Sequence, residues 1–362
     1  MMEFGQRFRV ELFGSSHGPE VGAVISGVPQ GSRIDLAEIQ ADLDRRRPVG
    51  RRLATRRRES DRVSIDAGVE NGVATGRAIR LHVPNEDVRR SPYKGLERTP
   101  RPGHADYPAT VRFGRSADLS GGGIFSGRMT VGLVAAGAIA RSLLRPIGIE
   151  AVAFTRSIGR VEDPTEADRT VGALRALRDA TEVGALDPSS ATAMARRIEE
   201  VRREGDSIGG TIEARATGIP VGLGEPFFDS VESEIAHLVF SVPAVKAIEF
   251  GAGFAVGRMK GSENNDPFYW DEQGRVSTRT NHAGGILGGL TTGRPLEFRV
   301  AVKPTSSIAR AQETVDLISR ASATIIVKGR HDPCIVPRAV SVIEAATLIV
   351  LADLAMRSGV LR

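Results

Sequence analysis

Hydrophobic and polar positions alternate most cleanly from Leu296 to Lys303. Leu296, Phe298, Val300 and Val302 face one way and Glu297, Arg299 and Lys303 the other, which predicts a half-buried strand. From Gly209 the same period sets Thr211, Glu213 and Arg215 against Ile212, Ala214 and Ala216. Arg7 to Gly14 and Val21 to Ser26 read as paired strands joined by the Ser15–Glu20 loop, and Thr324 to Lys328 as a further strand. Asp35, with Glu38 three residues on, resembles a capping box for a helix that runs to Arg47 and stops at Pro48. Further helices are predicted over Arg128–Leu144, small and apolar; Ser190–Arg203, amphipathic and ended by Gly205; Ser230–Phe240; and Ala339–Arg357. The stretch from Ala339 to Met356 carries Glu344 and Asp353 and reads as a buried helix, not a membrane span. No linker, low-complexity tract or repeat divides the chain. The pattern predicts one α/β (α+β) domain over residues 1–362, with mostly antiparallel sheets covering a helical layer.

Composition narrows the class. The 362 residues include 49 basic and 44 acidic side chains, a net charge of +5, so any strong positive field is local. It peaks between Arg45 and Arg58, where eight of fourteen residues are arginine and none is acidic, a concentration that a polyanion would explain. A nucleic-acid surface would call for a wider basic excess and more aromatics than one Trp and three Tyr, so a small anionic ligand is favoured. The single Cys334 excludes an internal disulfide framework, and the first residues show no apolar signal core, which together predict a soluble cytoplasmic protein.

The candidate chemistry lies in four loops. Gly14-Ser15-Ser16-His17-Gly18 presents a histidine between glycines, suited to a general acid or to a plain polar turn. Arg101-Pro102-Gly103-His104-Ala105-Asp106 holds three charged groups in a stiff loop where Asp106 could orient His104. Gly121-Gly122-Gly123 before Ile124-Phe125-Ser126-Gly127-Arg128 offers backbone amides at a helix start. Lys303-Pro304-Thr305-Ser306-Ser307 makes a compact phosphate cradle. There is no Walker A loop, strict GxGxxG, metal-ligand spacing or GxSxG elbow.

Taken in order, GSSHG at 14–18, DRRRP at 44–48, RPGHAD at 101–106, AAGAIA at 135–140, NHAGGILGG at 281–289, KPTSS at 303–307 and RHDPC at 330–334 resemble the chorismate synthase family, from about residue 7 to 348. The resemblance implies a helical layer between antiparallel four-stranded sheets, usually in a homotetramer. It implies a 1,4-anti elimination of phosphate from 5-enolpyruvylshikimate 3-phosphate, giving chorismate with no net redox change but requiring reduced FMN. NAD(P)H or another reductant would act indirectly, possibly through a separate flavin reductase, and no metal, nucleic acid or membrane is implied. By family position Arg46, Arg52, Arg101, Ser126 and Arg128 would hold substrate. His17 would protonate the departing phosphate, His104 would govern flavin protonation, and Asp332 would assist removal of the C6 proton. FMN would contact Ile124, Phe125, Ser126, Ala244, Gly288, Lys303, Pro304, Thr305, Ser306, Ser307 and Arg330. The chain departs from many members at Ser15, where an acidic residue is common, in the loop Ile124–Met129, and at Pro243, where asparagine is frequent.

Overall fold

The structure, a computed structural model, describes residues 2–47, 53–54, 59–87, 95–114, 119–327 and 331–361. Two antiparallel sheets sandwich a layer of helices. The first sheet has the spatial order Glu3–Phe4, Arg9–Gly14, Glu20–Ser26, Ile79–Pro84, Ser64–Ala67. The second runs Val245–Phe250, Leu296–Val302, Gly210–Thr217, Glu150–Ile158, Val161–Glu162. Each therefore has the four full strands implied by the resemblance, plus a two-residue strand at one edge.

The middle layer is built on the helices Thr130–Leu144 and Val336–Arg357, which pack on each other and on opposite sheets. Gly137 permits the close crossing, because a Cβ there would overlap the backbone and side chain of Ala345. The stretches Gly127–Ile147 and Val336–Arg357 are long and apolar enough to cross a membrane, but they lie mostly buried inside this sandwich. Their ionisable groups are matched internally. Glu344 accepts from Arg45 at 3.0 Å and pairs with Arg178, and Asp353 accepts from the backbone N–H groups of Gln6, Arg7 and Phe8 at 2.9, 2.6 and 2.9 Å. Burial alone would raise the Glu344 carboxyl, yet Arg45, Arg178 and Arg175 bring it down to about 2.

The helix Leu36–Arg46 starts as predicted, with the Asp35 carboxylate accepting from Ala37 N and Glu38 N. Glu38 does not close the capping box; its carboxylate takes both Arg145 nitrogens, at 3.0 and 2.9 Å. Two sequence expectations are corrected. The strand predicted over Thr324–Lys328 is instead the return arm Ala321–Ile325 of a hairpin with Gln312–Asp316. The last helix begins at Val336, three residues before Ala339, because Pro337 fits its first turn. The strand Glu150–Ile158 was not predicted, since both its faces are buried. Ala151 and Ala153 face the central helices, while Val152 and Phe154 pack with Val171 and Leu174 of an outer helix.

Candidate active site

A cavity of about 570 Å³ opens where the first helix ends, the two central helices begin, and the second sheet's edge meets the loops. That size suits a small-molecule site. Its walls come from Arg46 and Glu59, from 101–105, from 121–130, from 240–246, and from 303–307 with 331–342.

The Arg101–Asp106 loop forms one wall. Asp106 is fully buried and accepts four hydrogen bonds: Arg101 N (3.0 Å) and Nε (2.7 Å) on Oδ2, and Arg101 Nη2 (2.7 Å) and His104 Nδ1 (2.6 Å) on Oδ1. Burial by itself would raise the Asp106 carboxyl. The hydrogen bonds and charges of Arg101 and His104 outweigh it and hold the group well below the usual carboxylate range. With Nδ1 committed to Asp106, His104 turns Nε2 towards Gly122.

The triple glycine threads between two histidines. Gly121 has φ +60°, and any Cβ there would overlap the His17 ring; one on Gly122 would meet His104 Nε2 at 3.4 Å. His17 is buried, with Nδ1 3.2 Å from Ser16 Oγ, and does not itself face the cavity: Gly121 stands between. The glycines thus serve to bring backbone into contact with both imidazoles.

Arg46 and Arg128 share a counterion. Asp61, wholly buried with φ +48°, lies 3.7 Å from Arg46 Nη1 and pairs with Arg128 Nη1, while Glu59 Oε2 lies 3.7 Å from Arg128 Nη2. Burial pushes the Asp61 carboxyl up, but the two guanidiniums prevail and lower it. Arg128 is further fixed by Asn85 Oδ1 at 2.8 Å and Pro84 O at 3.1 Å. Ser126 accepts from Arg128 N at 3.2 Å, and Ile124 and Phe125 complete that wall.

The predicted phosphate cradle is tied to the histidine loop. Lys303 Nζ donates to Ser306 Oγ at 2.9 Å, Ser306 Oγ donates to Gly103 O at 2.6 Å, and Arg101 Nη1 donates to Ser307 Oγ at 3.0 Å. Thr305 Oγ1 donates to Asp332 O at 3.0 Å. Ala244, at φ +75°, lines the cavity and accepts Lys303 N at 2.9 Å. Asp332 therefore adjoins the cradle, and its carboxylate lies 2.5 Å from Arg338 Nη1.

The structure therefore gathers Arg46, Arg101, His104, Ile124, Phe125, Ser126, Arg128, Ala244, Lys303, Thr305, Ser306, Ser307 and Asp332 on one cavity, with Pro304 inside the cradle. Arg52 and Arg330 fall outside the described residues. Gly288 is not brought there. It occupies the turn between Ile286–Leu287 and Leu290–Thr291, beside the start of the Val231–Ser241 helix, whereas the cavity meets that helix at its end. An eleven-residue helix separates the two, roughly 16 Å. The arginine run also divides: Arg45 pairs with Asp42 and Glu344 and Arg47 with Asp44, so only Arg46 of these three faces the cavity.

A family model described as chorismate synthase matches residues 8–356. The chain belongs to the chorismate synthase family. It is accordingly an enzyme of the carbon–oxygen lyase class. It is similar to the chorismate synthases of Aeropyrum pernix (49% identity, 97% of this chain and 91% of that protein) and Korarchaeum cryptofilum (48%, 98% and 97%). It is also similar to that of Dehalococcoides mccartyi strain BAV1 (45%, 99% and 97%). A crystal structure of a chorismate synthase superposes with a TM-score of 0.76 at 26% identity, covering 98% of this chain and 93% of that one. Against the family resemblance, sequence reasoning overlooked Glu59, Asp61, Lys246, His331 and Arg338. The two carboxylates follow an arginine-rich segment that drew attention to bases, and Lys246 sits in an unremarkable strand.

Proposed function

We propose that this chain converts 5-enolpyruvylshikimate 3-phosphate to chorismate and inorganic phosphate by a 1,4-anti elimination, with reduced FMN bound and no net redox change. The observation that carries this reading is the convergence on one cavity of three guanidiniums, Arg46, Arg101 and Arg128, with the Lys303–Ser307 cradle and the His104–Asp106 pair. A ligand pair bearing carboxylates and two phosphates needs this density of donors.

The residues present fit FMN. Lys303 is pushed down first by burial and then by the neighbouring Lys246, its Nζ donates to Ser306 Oγ at 2.9 Å, and Thr305 and Ser307 add hydroxyls to the same wall. Lys303–Ser307, Ala244 and the Ile124–Ser126 backbone would hold the cofactor. Its chemistry, when bound, is transient electron donation and acceptance of the C6 proton.

The protein's own groups bind, orient and move protons. Arg46, Arg101 and Arg128 hold the substrate's anionic groups, each guanidinium kept in place by a buried carboxylate. His17, set behind Gly121, would supply a proton to the leaving phosphate, a poor leaving group as a dianion, on the side where Gly121 offers no side chain to block it. His104, oriented by Asp106, presents Nε2 on the cavity side as the atom that would exchange a proton there. Asp332, steadied by Arg338, assists the departure of the C6 proton. A homotetrameric state, a cytoplasmic location and dependence on an outside reductant, NAD(P)H through a separate reductase, belong to the same proposal.

The test is an anaerobic assay with the enolpyruvyl substrate and chemically reduced FMN, following chorismate and phosphate together. Equal yields without stoichiometric flavin oxidation are expected. Product formed only with matching consumption of NAD(P)H would replace the lyase by a net redox reaction.

A further inference from the structure

The charges around the cavity fall into two kinds. Arg46, Arg101, Arg128 and Arg338 each stand against a carboxylate: Asp61, Asp106, Asp61 with Glu59, and Asp332. Lys246 and Lys303, two of only five lysines in the chain, also line it, and among the described residues neither has a carboxylate in ion-pair reach. The backbone sets them side by side. Lys303 N bonds Ala244 O, so Lys246 lies two residues further along the adjacent strand, near enough for its charge to act on Lys303. The ladder slips between Val245 and Ala247, leaving Lys246 unpaired in a bulge that follows Ala244 in its left-handed conformation. A bulge of this kind re-aims a side chain, and bulges cluster next to active sites.

We propose that Lys246 and Lys303 form a two-lysine clamp for a single phosphate group. Two ammoniums facing one space repel, and a phosphate dianion removes that repulsion while accepting a hydrogen bond from each. The Lys303 ammonium, lowered by burial and then by Lys246, fits this arrangement. Under the proposed function the phosphate belongs either to FMN or to the substrate, and the clamp rests on that reading.

The experiment compares wild type with Lys246→Met and Lys246→Arg, measuring flavin affinity by fluorescence quenching with FMN and with riboflavin, and substrate KM by steady-state assay. Lys246 is exposed, so the substitutions leave the fold in place, which the melting temperature checks. For a flavin phosphate, Lys246→Met weakens FMN by roughly ten- to a hundredfold, leaves riboflavin unchanged, and Lys246→Arg restores most of the affinity. For the substrate's phosphate, flavin affinities stay level and KM rises by a similar factor. No change in either overturns the clamp. If the wild type itself binds no FMN, the cofactor reading fails. The clamp is then judged by ³¹P line broadening of inorganic phosphate, which Lys246→Met must reduce if it is to stand.

Discussion

Asp106→Asn isolates the charge that organises the histidine loop without changing its shape. Oδ2 receives Arg101 N and Nε, and Oδ1 receives Arg101 Nη2 and His104 Nδ1. An asparagine has one accepting oxygen and one donating NH₂, so in either orientation two donors face a donor and lose their partner. The change also leaves the Arg101 guanidinium, 4% exposed, without its counterion. Lost charge-assisted bonds and an unpaired buried charge together cost about 3–5 kcal/mol. Equilibrium urea unfolding at pH 7 measures that loss. Because the folded-state carboxyl is depressed, its stabilisation is fully present above the unfolded value near ~4 and fades as pH falls through the folded one. The gap between wild type and variant should therefore be constant from pH 6 to 8 and begin to close only below about pH 4. Single-turnover rates should fall by on the order of a hundredfold as His104 loses its orienting partner. A variant within about 1 kcal/mol of wild type, with an unaltered rate, would refute the account of this loop.

Three further outcomes follow from the same geometry. His17→Ala should leave FMN binding nearly intact and slow phosphate release by roughly a hundredfold or more; unchanged turnover removes His17 from the mechanism. Gly121→Ala places a methyl against the His17 ring at a left-handed φ, so a stability loss of about 2–4 kcal/mol is expected by thermal unfolding, and a wild-type melting temperature contradicts the close approach. Arg46→Ala should raise substrate KM by tenfold or more with a smaller effect on kcat, and unfolding with no change in KM would make Arg46 purely structural.

How much could be read along the chain depended on whether the information was local. The Asp35 cap, the alternating strand Leu296–Val302 and the apolar run of the last helix were legible because a cap and a one-sided face write their periods into neighbouring residues. The loops holding His17, His104 and Lys303 stood out as candidate chemistry, and the ordered motifs sufficed to point to the family. The strand Glu150–Ile158 left no alternation, since helices cover it on both sides. Arg45, Arg46 and Arg47 look equivalent in sequence, but a helix turns by about 100° per residue and sends them to Glu344, to the cavity and to Asp44. Lys246 became a cavity residue through a bulge, and Gly288 left the site because a whole helix intervenes. The sequence by itself determined the elements whose cap or one-sided face is written locally, and the loops that are candidates for reactive groups. Only the tertiary structure decided which charge meets which, because those pairings join residues up to hundreds of positions apart through packing that no local pattern encodes.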